Sequence, residues 1–366
     1  DATYNRDNPN KQAMSTVMTL DGVLDRLIIG DVLDFGTNDF VISLWHKVAD
    51  YSAETAYLIN KHEDNNNKWY ITQIDDGTFG VVVINGGNTT LNDVTADATA
   101  LEGSWVNIIV VCDRSESDGA VIYVNGATTL GKSAFAPDDY VSPEDVSISA
   151  DLTIGSQTGG AGAILGNVDE VAIWKDADLS DFDSNAAAAI YAAGRSYDLT
   201  ADTGNYHHSD KLVGYWRMGE GGGDILSEGL IRDQVDTGYG ADLVTNGTFA
   251  TDSNWTKDTG WTISGGTASH SSGANAMLTQ AGILTIGKTY KITYDITSYT
   301  SGETNVYTGN WGTDRAATGS YTEYLVATNT NLKFNAASDV DFAGSIDNVI
   351  CRELNGNPGS TAANAT

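Results

Sequence analysis

Asp169 and Glu170, neighbours inside the run Val168 to Trp174, are the nearest this sequence comes to a carboxylate pair that could work on a glycosidic bond. Such a pair must flank one sugar about 5–9 Å apart, and adjacent residues on a strand point to opposite faces. Hydrolysis is therefore not expected of them. The five histidines, His46, His62, His207, His208 and His270, show no metal-ligand spacing, and the pair His207-His208 reads as part of a solvated polar loop. Cys112 lies in an apolar run and reads as an inert core thiol. No Ser-His-Asp or Cys-His arrangement can be placed, and the glycines from Gly219 to Gly223 do not open a helix that would cradle phosphate. The expectation is a protein that is not an enzyme.

Aromatic side chains flanked by amides suit a different chemistry, the stacking of pyranose rings with hydrogen bonds to their hydroxyls. Trp255 beside Asn254, and Trp311 beside Asn310, read as loop residues of this kind, with Tyr299 and Tyr307 as further aromatic faces. A place in the core or in a subunit interface is the competing reading for each. Trp261, in a strand-like run, reads as core, as do Trp45, Trp105, Trp174 and Trp216.

The elements that must position these residues are strands. Short β-branched or aromatic runs recur: Phe40 to Val48, Trp69 to Ile74, Phe79 to Ile84, Trp105 to Cys112, Val121 to Val124 and Val168 to Trp174. The turns Asp76-Gly77, Asn85-Gly86 and Asn125-Gly126 have hairpin chemistry. One Ala-rich segment, Asp181 to Gly194, reads as a short helix with an acidic cap and a closing glycine. From Ala241 the runs restart with another cadence, including Trp261 to Ile263, Ala276 to Thr279, Thr289 to Ile296, Thr304 to Tyr307, Asn331 to Phe334 and Ile346 to Leu354. The fold class expected is all-β, two jelly-roll β-sandwiches in tandem with one short helix in the first. Residues 1–14 read as an N-terminal arm, 15–240 and 241–354 as the sandwiches, and 355–366 as a flexible tail.

Charge sharpens the division. The 366 residues carry 19 basic and 49 acidic side chains, a net charge of −30. Residues 241–354 hold 6 basic and 11 acidic side chains, which leaves 13 and 38, net −25, to the rest. So acidic a chain is repelled by phosphate backbones and anionic membrane surfaces, so neither nucleic acid nor a membrane is an expected partner. The longest apolar runs fall well short of the roughly 18 residues of a membrane span. Two cysteines, Cys112 and Cys351, each in a strand-like run, read as buried thiols rather than a disulfide framework. The opening residues DATYNRDNPN show neither a basic n-region nor an apolar h-region.

The first region resembles laminin G-like jelly rolls of the concanavalin A type. The resemblance rests on MTLDGVLDRLIIG (Met18 to Gly30), FVISLWHKV (Phe40 to Val48), Gly103 to Gly126 as a long hairpin, LTIGS (Leu152 to Ser156) and Gly166 to Gly194 as last strand plus helix. It implies a jelly roll over most of residues 15–218. Glucanases of this type carry Glu, Asp and Glu at i, i+2 and i+5 of one strand, and that series does not occur here. The second region resembles carbohydrate-binding modules of the galactose-binding jelly-roll type, through LVTNGTFATDSNW (Leu243 to Trp255), GWTISGGTAS (Gly260 to Ser269), LTIGKTYKITYDI (Leu284 to Ile296) and GSIDNVICREL (Gly344 to Leu354). That resemblance implies a structural calcium joining first and last strands. Asn246 and Asp347 match its ligands, but Ala250 stands where the family has an acid. In the first region Asp21, Asp25 and Asp169 sit where related jelly rolls concentrate acidic residues, which implies a second calcium position, and Asp113 to Asp118 form an acidic turn.

LVGYWRMGEG (Leu212 to Gly221) is similar to a segment of such jelly rolls in bacteriophage structural proteins. With the pairing of the two domain types it implies a virion protein, a capsid decoration, head fibre or tail-associated component. Such a component would be a homo-oligomer on the virion surface, bound to other virion proteins and adhering to polysaccharide. A secreted bacterial adhesin and the accessory binding part of a polysaccharide-degrading enzyme are the alternatives.

Overall fold

The structure, a computed structural model, describes residues 3–4, 17–48, 50, 55–75, 77–94, 101–114, 120–127, 145–219, 225–227, 230–271, 276–336 and 341–362. The chain divides into two compact units, residues 1–236 with 356–366, and residues 237–355. The second is an insertion in the first: the chain leaves after Asp236 and returns at Gly356. Residues 237–240 and 355–366 carry no charged side chain, so the units keep the −25 and −5 of the sequence division.

The first unit contains two antiparallel sheets. One runs in the order Thr3–Tyr4, Met18–Asp21, Leu165–Asp176, Asp39–Val48, Val106–Cys112, Ala120–Val124, with Leu212–Trp216 also paired to Leu165–Asp176. The other runs Ile225–Ser227, Leu230–Ile231, Gly359–Ala362, Arg26–Gly30, Leu152–Ile154, Ala56–His62, Lys68–Gln73, Phe79–Asn85, Asn88–Val94. Ile42, Leu44, Trp69, Ile71, Ile108, Val110 and Trp216 fill the main core. Val41, Ile109, Val111, Ala172 and Trp174 point the other way and pack under the helix Ser184–Ala193. Both faces of the Asp39–Val48 and Val106–Cys112 strands are thereby covered, which is why their sequences run apolar without alternation. Asp183 caps the helix, its carboxylate accepting from the backbone N–H of Asn185 and Ala186, and Gly194 closes it at φ 85°.

Two expectations are corrected here. The segment expected as a tail supplies the strand Gly359–Ala362, whose Ser360, Thr361 and Ala362 pair with Ile28, Leu27 and Arg26. Of the expected arm, Thr3–Tyr4 pairs with Met18–Asp21, while the rest of residues 1–14 lies outside the described residues. Residues 115–118 of the acidic turn, 220–223 of the glycine run after Gly219, and Asp76 of the turn Asp76-Gly77 also lie outside them. Further, Asp169 and Glu170 do not point to opposite faces. The pairing with Asp39–Val48 skips between Asp169 and Ala172, and Glu170 sits at φ 49°. This bulge leaves Val168 and Val171 both facing the main core and turns the two acids together to the other face.

In the second unit one sheet runs Trp261–Ser264, Thr267–His270, Ala343–Leu354, Thr289–Ser301, Gly319–Val326, with Tyr239–Asp242 also paired to Ala343–Leu354. The other runs Thr256–Lys257, Ala276–Gln280, Leu332–Ala336, Thr304–Tyr307. Leu278, Tyr290, Ile292, Tyr294, Val306, Leu332, Phe334 and Ile346 form the core between them. Among the described residues both units are thus all-β, with one α-helix in the first and short 3-10 turns such as Ser209–Lys211. Both cysteines are buried thiols, and burial, with Asp242 next, pushes Cys351 up to about 12. Among the described residues no helix is long and apolar enough to cross a membrane.

Candidate glycan-binding site

Alternation along two short strands of the smaller sheet builds one polar face. Leu332, Phe334 and Ala336 face the core, which turns Lys333 and Asn335 outward, and on the neighbouring strand Val306 faces the core and turns Asn305 and Tyr307 outward. Register places Tyr307 opposite Lys333 and Asn305 opposite Asn335. Met277 and Thr279 continue the two rows, opposite Asn335 and Lys333.

The loop after Tyr307 folds back along its own strand. Thr304 and Arg315 exchange backbone hydrogen bonds of 3.1 and 2.8 Å, and Gly312 N donates to Val306 O at 2.7 Å. Gly309 makes the turn possible: it sits at φ 98°, and a Cβ there would lie 2.0 Å from Thr328 Oγ1 and 2.8 Å from the Asn329 backbone nitrogen. Arg315 donates to Glu323 through Nε at 3.0 Å and a terminal nitrogen at 2.7 Å, and its guanidinium lies over Tyr321 at 4.8 Å. Asn310 Nδ2 donates to Val326 O at 3.0 Å.

This fixed loop presents Trp311 to solvent, 55% exposed, with its ring against Tyr307 at 4.2 Å between centroids and 43° between planes. The Lys333 ammonium sits 5.7 Å from the Tyr307 ring centre. Below them Asn305 Nδ2 donates to Asp314 Oδ1 at 2.6 Å. An aromatic corner, a cation and a row of amides therefore share one sheet face.

Three of the six expected sugar-binding residues, Tyr307, Asn310 and Trp311, come together here. The other three do not join them. Trp255 is 6% exposed and belongs to the core, packed on Phe249 at 5.4 Å and Phe334 at 6.3 Å, with Nε1 donating to Asn246 O at 3.2 Å. It has no free face for a sugar, because the loop carrying it folds inward between the sheets. Asn254 is exposed in a left-handed turn at φ 68° and accepts from Ser253 Oγ. Tyr299, 37% exposed, lies on Thr289–Ser301 in the other sheet. Asn305, Lys333 and Asp314 were not anticipated, nor was Asn335. The alternation in TNVY and LKFNA is the signal that could have found three of them.

Each residue expected as a calcium ligand makes contacts within the protein. Asn246 directs Nδ2 to Thr251 O at 2.7 Å and Ser253 O at 3.0 Å, closing its own loop. Asp347 Oδ1 accepts from Asn348 N at 2.7 Å. Asp21 Oδ1 accepts from Val23 N at 2.9 Å, and Asp25 Oδ2 from Asp21 N at 3.2 Å. Asp169 is ion-paired with Arg195. Among the described residues no three His, Cys, Asp or Glu side chains are grouped to hold a metal ion.

The paired acids of the first unit are likewise neutralised. Arg195 meets Asp169 and lies over the Trp105 ring at 4.3 Å. Arg217 Nε donates to Glu170 Oε1 at 3.2 Å, and the Tyr215 hydroxyl donates to Glu170 Oε2. Burial and the neighbouring Glu170 hold the Tyr215 hydroxyl protonated far above its ordinary range. Of the expected loop pair, His208 is instead buried, 4.7 Å from Phe182 and 2.9 Å from Asp181 Oδ1.

Among solved structures the chain is similar to the binding domain of botulinum neurotoxin serotype D, at 9% identity over 100% of this chain and 92% of that one, with a TM-score of 0.39. It is similar to domains LG4-5 of the mouse laminin alpha1 chain, at 9% identity over 100% and 98%, TM-score 0.32. It is also similar to full-length tailspike protein 2 from Escherichia coli O157:H7 bacteriophage CAB120, at 15% identity over 57% of this chain and 26% of that one, TM-score 0.33. No curated protein sequence matches the chain. Residues 21–181, all within the first unit, match the family described as the Concanavalin A-like lectin/glucanases superfamily.

Proposed function

We propose that this chain is a non-enzymatic glycan-adhesive protein whose second unit binds sugar at the Trp311 corner, and that it serves on a bacteriophage virion. The carrying observation is Trp311 itself. A large aromatic face is held out to solvent by a braced loop, beside Tyr307, Lys333 and amide side chains that can bond hydroxyls. Against catalysis stands the neutralisation of Asp169 and Glu170 by Arg195 and Arg217, since a general acid must hold a transferable proton.

The virion reading rests on the resemblance of Leu212 to Gly221 and on the pairing of domain types. Many copies on one particle would turn a weak monovalent contact into firm adhesion. Retardation of the protein in gels containing polysaccharide, abolished in Trp311→Ala at unchanged melting temperature, tests the sugar site. Unchanged retardation in that variant sinks it. Mass spectrometry of purified phage particles made with the gene present and deleted tests the location, and a particle fraction free of the chain overturns it.

A further inference from the structure

Five side chains stand in one row across the outward face of the small sheet. Register sets Trp311 beside Tyr307, Tyr307 beside Lys333, Lys333 beside Thr279 and Thr279 beside Thr256, each about 4.8 Å from the next between backbones. All five reach solvent: Trp311 and Thr256 are exposed, and Tyr307, Lys333 and Thr279 are half-buried. The row holds one charge, the Lys333 ammonium. Three of the second unit's six cations have acids beside them, Lys257 with Asp252, Lys288 with Glu353 at 3.7 Å and Arg315 with Glu323 at 2.7 Å. Lys333 has none among the described residues, although acids outnumber bases 49 to 19 in the chain, and it rests only against the Tyr307 ring. An acid, Asp314, meets the adjoining row, where its Oδ1 accepts from Asn305 Nδ2 at 2.6 Å.

Resting on the glycan reading above, we propose that the ligand is an acidic polysaccharide of uronate type, one whose carboxylate is carried on the sugar ring itself. One ring stacks on Trp311, and the carboxylate of the next unit pairs with Lys333 across Tyr307. A single ammonium is a compact point charge without the fork of a guanidinium, which suits a lone carboxylate. The hydroxyls of Thr279 and Thr256 continue the polar row beyond it, within reach of further sugar hydroxyls. The second unit holds only −5 of the chain's −30, so its own field opposes an anion far less than that of the first unit does. A neutral sugar would leave the ammonium without a counter-charge in the very row where Trp311 offers a stacking face.

The test is retention of the full chain on beads carrying polygalacturonate, its fully methyl-esterified form, β-1,4-galactan or dextran sulfate. The ester keeps the ring and its hydroxyls and removes only the charge. The expected result is retention on polygalacturonate that weakens as salt rises and is lost on the ester. Lys333→Met, which keeps the length of the side chain without its charge, should weaken retention about tenfold and melt like the parent. If the ester retains the chain as well as the acid does, or Lys333→Met binds as the parent does, while Trp311→Ala is not retained, the uronate inference is overturned and the glycan reading stands. Retention on β-1,4-galactan alone has the same meaning. Retention on dextran sulfate alone overturns the carboxylate class, and retention on none of the four overturns both readings.

Discussion

Each unit carries a polar pair on the outward face of a sheet, and the two pairs are satisfied in opposite ways. In the first unit Asp169 and Glu170 are closed off by Arg195, Arg217 and Tyr215, so every charge has a partner within the protein. In the second, Asn305 and Asn335 are also buried, though less deeply, and their amide oxygens meet no donor among the described residues. A satisfied buried network fixes structure, whereas the second pair keeps two amide oxygens that no described donor meets. The same contrast separates two tryptophans of the second unit, Trp255 in the core and Trp311 at its surface.

The largest effects should fall on the structural members of these pairs. Trp255→Ala removes an aromatic ring packed between Phe249 and Phe334 and should destabilise the second unit by about 3–5 kcal/mol, read as a lowered denaturant midpoint. Trp311→Ala should change the unfolding free energy by less than about 0.5 kcal/mol while abolishing retention on polysaccharide. Equal losses of stability in the two variants would erase the distinction. Glu170→Ala leaves Arg217 with Asp198 at 3.5 Å as its acidic partner and takes an acceptor from the buried Tyr215 hydroxyl, and should cost about 3 kcal/mol in the first unit, whereas Asn335→Ala removes an amide oxygen that has no donor among the described residues and should cost far less.

What could be read from the sequence follows the range of the forces involved. The helix was legible because Asp183 and Gly194 act within a few residues of it. So were strands such as Leu152–Ile154 and Thr304–Tyr307, marked by composition and turns. Gly359–Ala362 was not: four small residues, Gly-Ser-Thr-Ala, say nothing locally, and the partner of Ser360, Ile28, stands 332 positions before it. The bulge at Asp169 and Glu170 escaped because one extra residue inverts the face on which every later side chain falls. Beside Asn310, Trp311 reads as a loop residue and is exposed, but the same logic misplaced Trp255, whose neighbours are equally polar. Burial there is decided by Phe334, distant in sequence. Alternation in TNVY and LKFNA puts Asn305 and Asn335 on the outward faces of their strands, but only the register between those strands pairs them.

A smaller effect concerns the ends of the insertion. Asp233 is buried and accepts from the backbone N–H of Tyr215 at 3.0 Å, Val235 at 3.1 Å and Asn357 at 2.9 Å, tying the outgoing chain to the returning one. Burial outweighs those bonds and raises its pKa from 3.8 to about 6. The folded state therefore holds the proton more tightly than the unfolded chain. The stability this confers is fully present below about pH 4 and is lost as pH rises through about 6, some 3 kcal/mol in all. Asp233→Asn fixes the group neutral, so its stability relative to the parent should rise between pH 4 and 7 in urea unfolding. A difference independent of pH would show that the three N–H donors, not burial, govern the group.

The smallest expected effect is that of chelation, and it separates the units from their relatives by resemblance. A calcium ion at one hundred times its dissociation constant would stabilise the folded chain by about 2.7 kcal/mol, enough to move a melting midpoint. The carboxylate nearest to such a role, Asp347, faces Asp295 across two paired strands, but Asn348 Nδ2 already donates to Asp295 Oδ2 at 2.7 Å and the Asn348 backbone to Asp347. Ala250 removes the anionic ligand that would complete the set. Melting in EDTA and in millimolar calcium should therefore give one midpoint for both units. A fall in EDTA that calcium restores, and that Asp347→Asn abolishes, would place an ion between those strands and make Asn348 its substitute only in the metal-free protein.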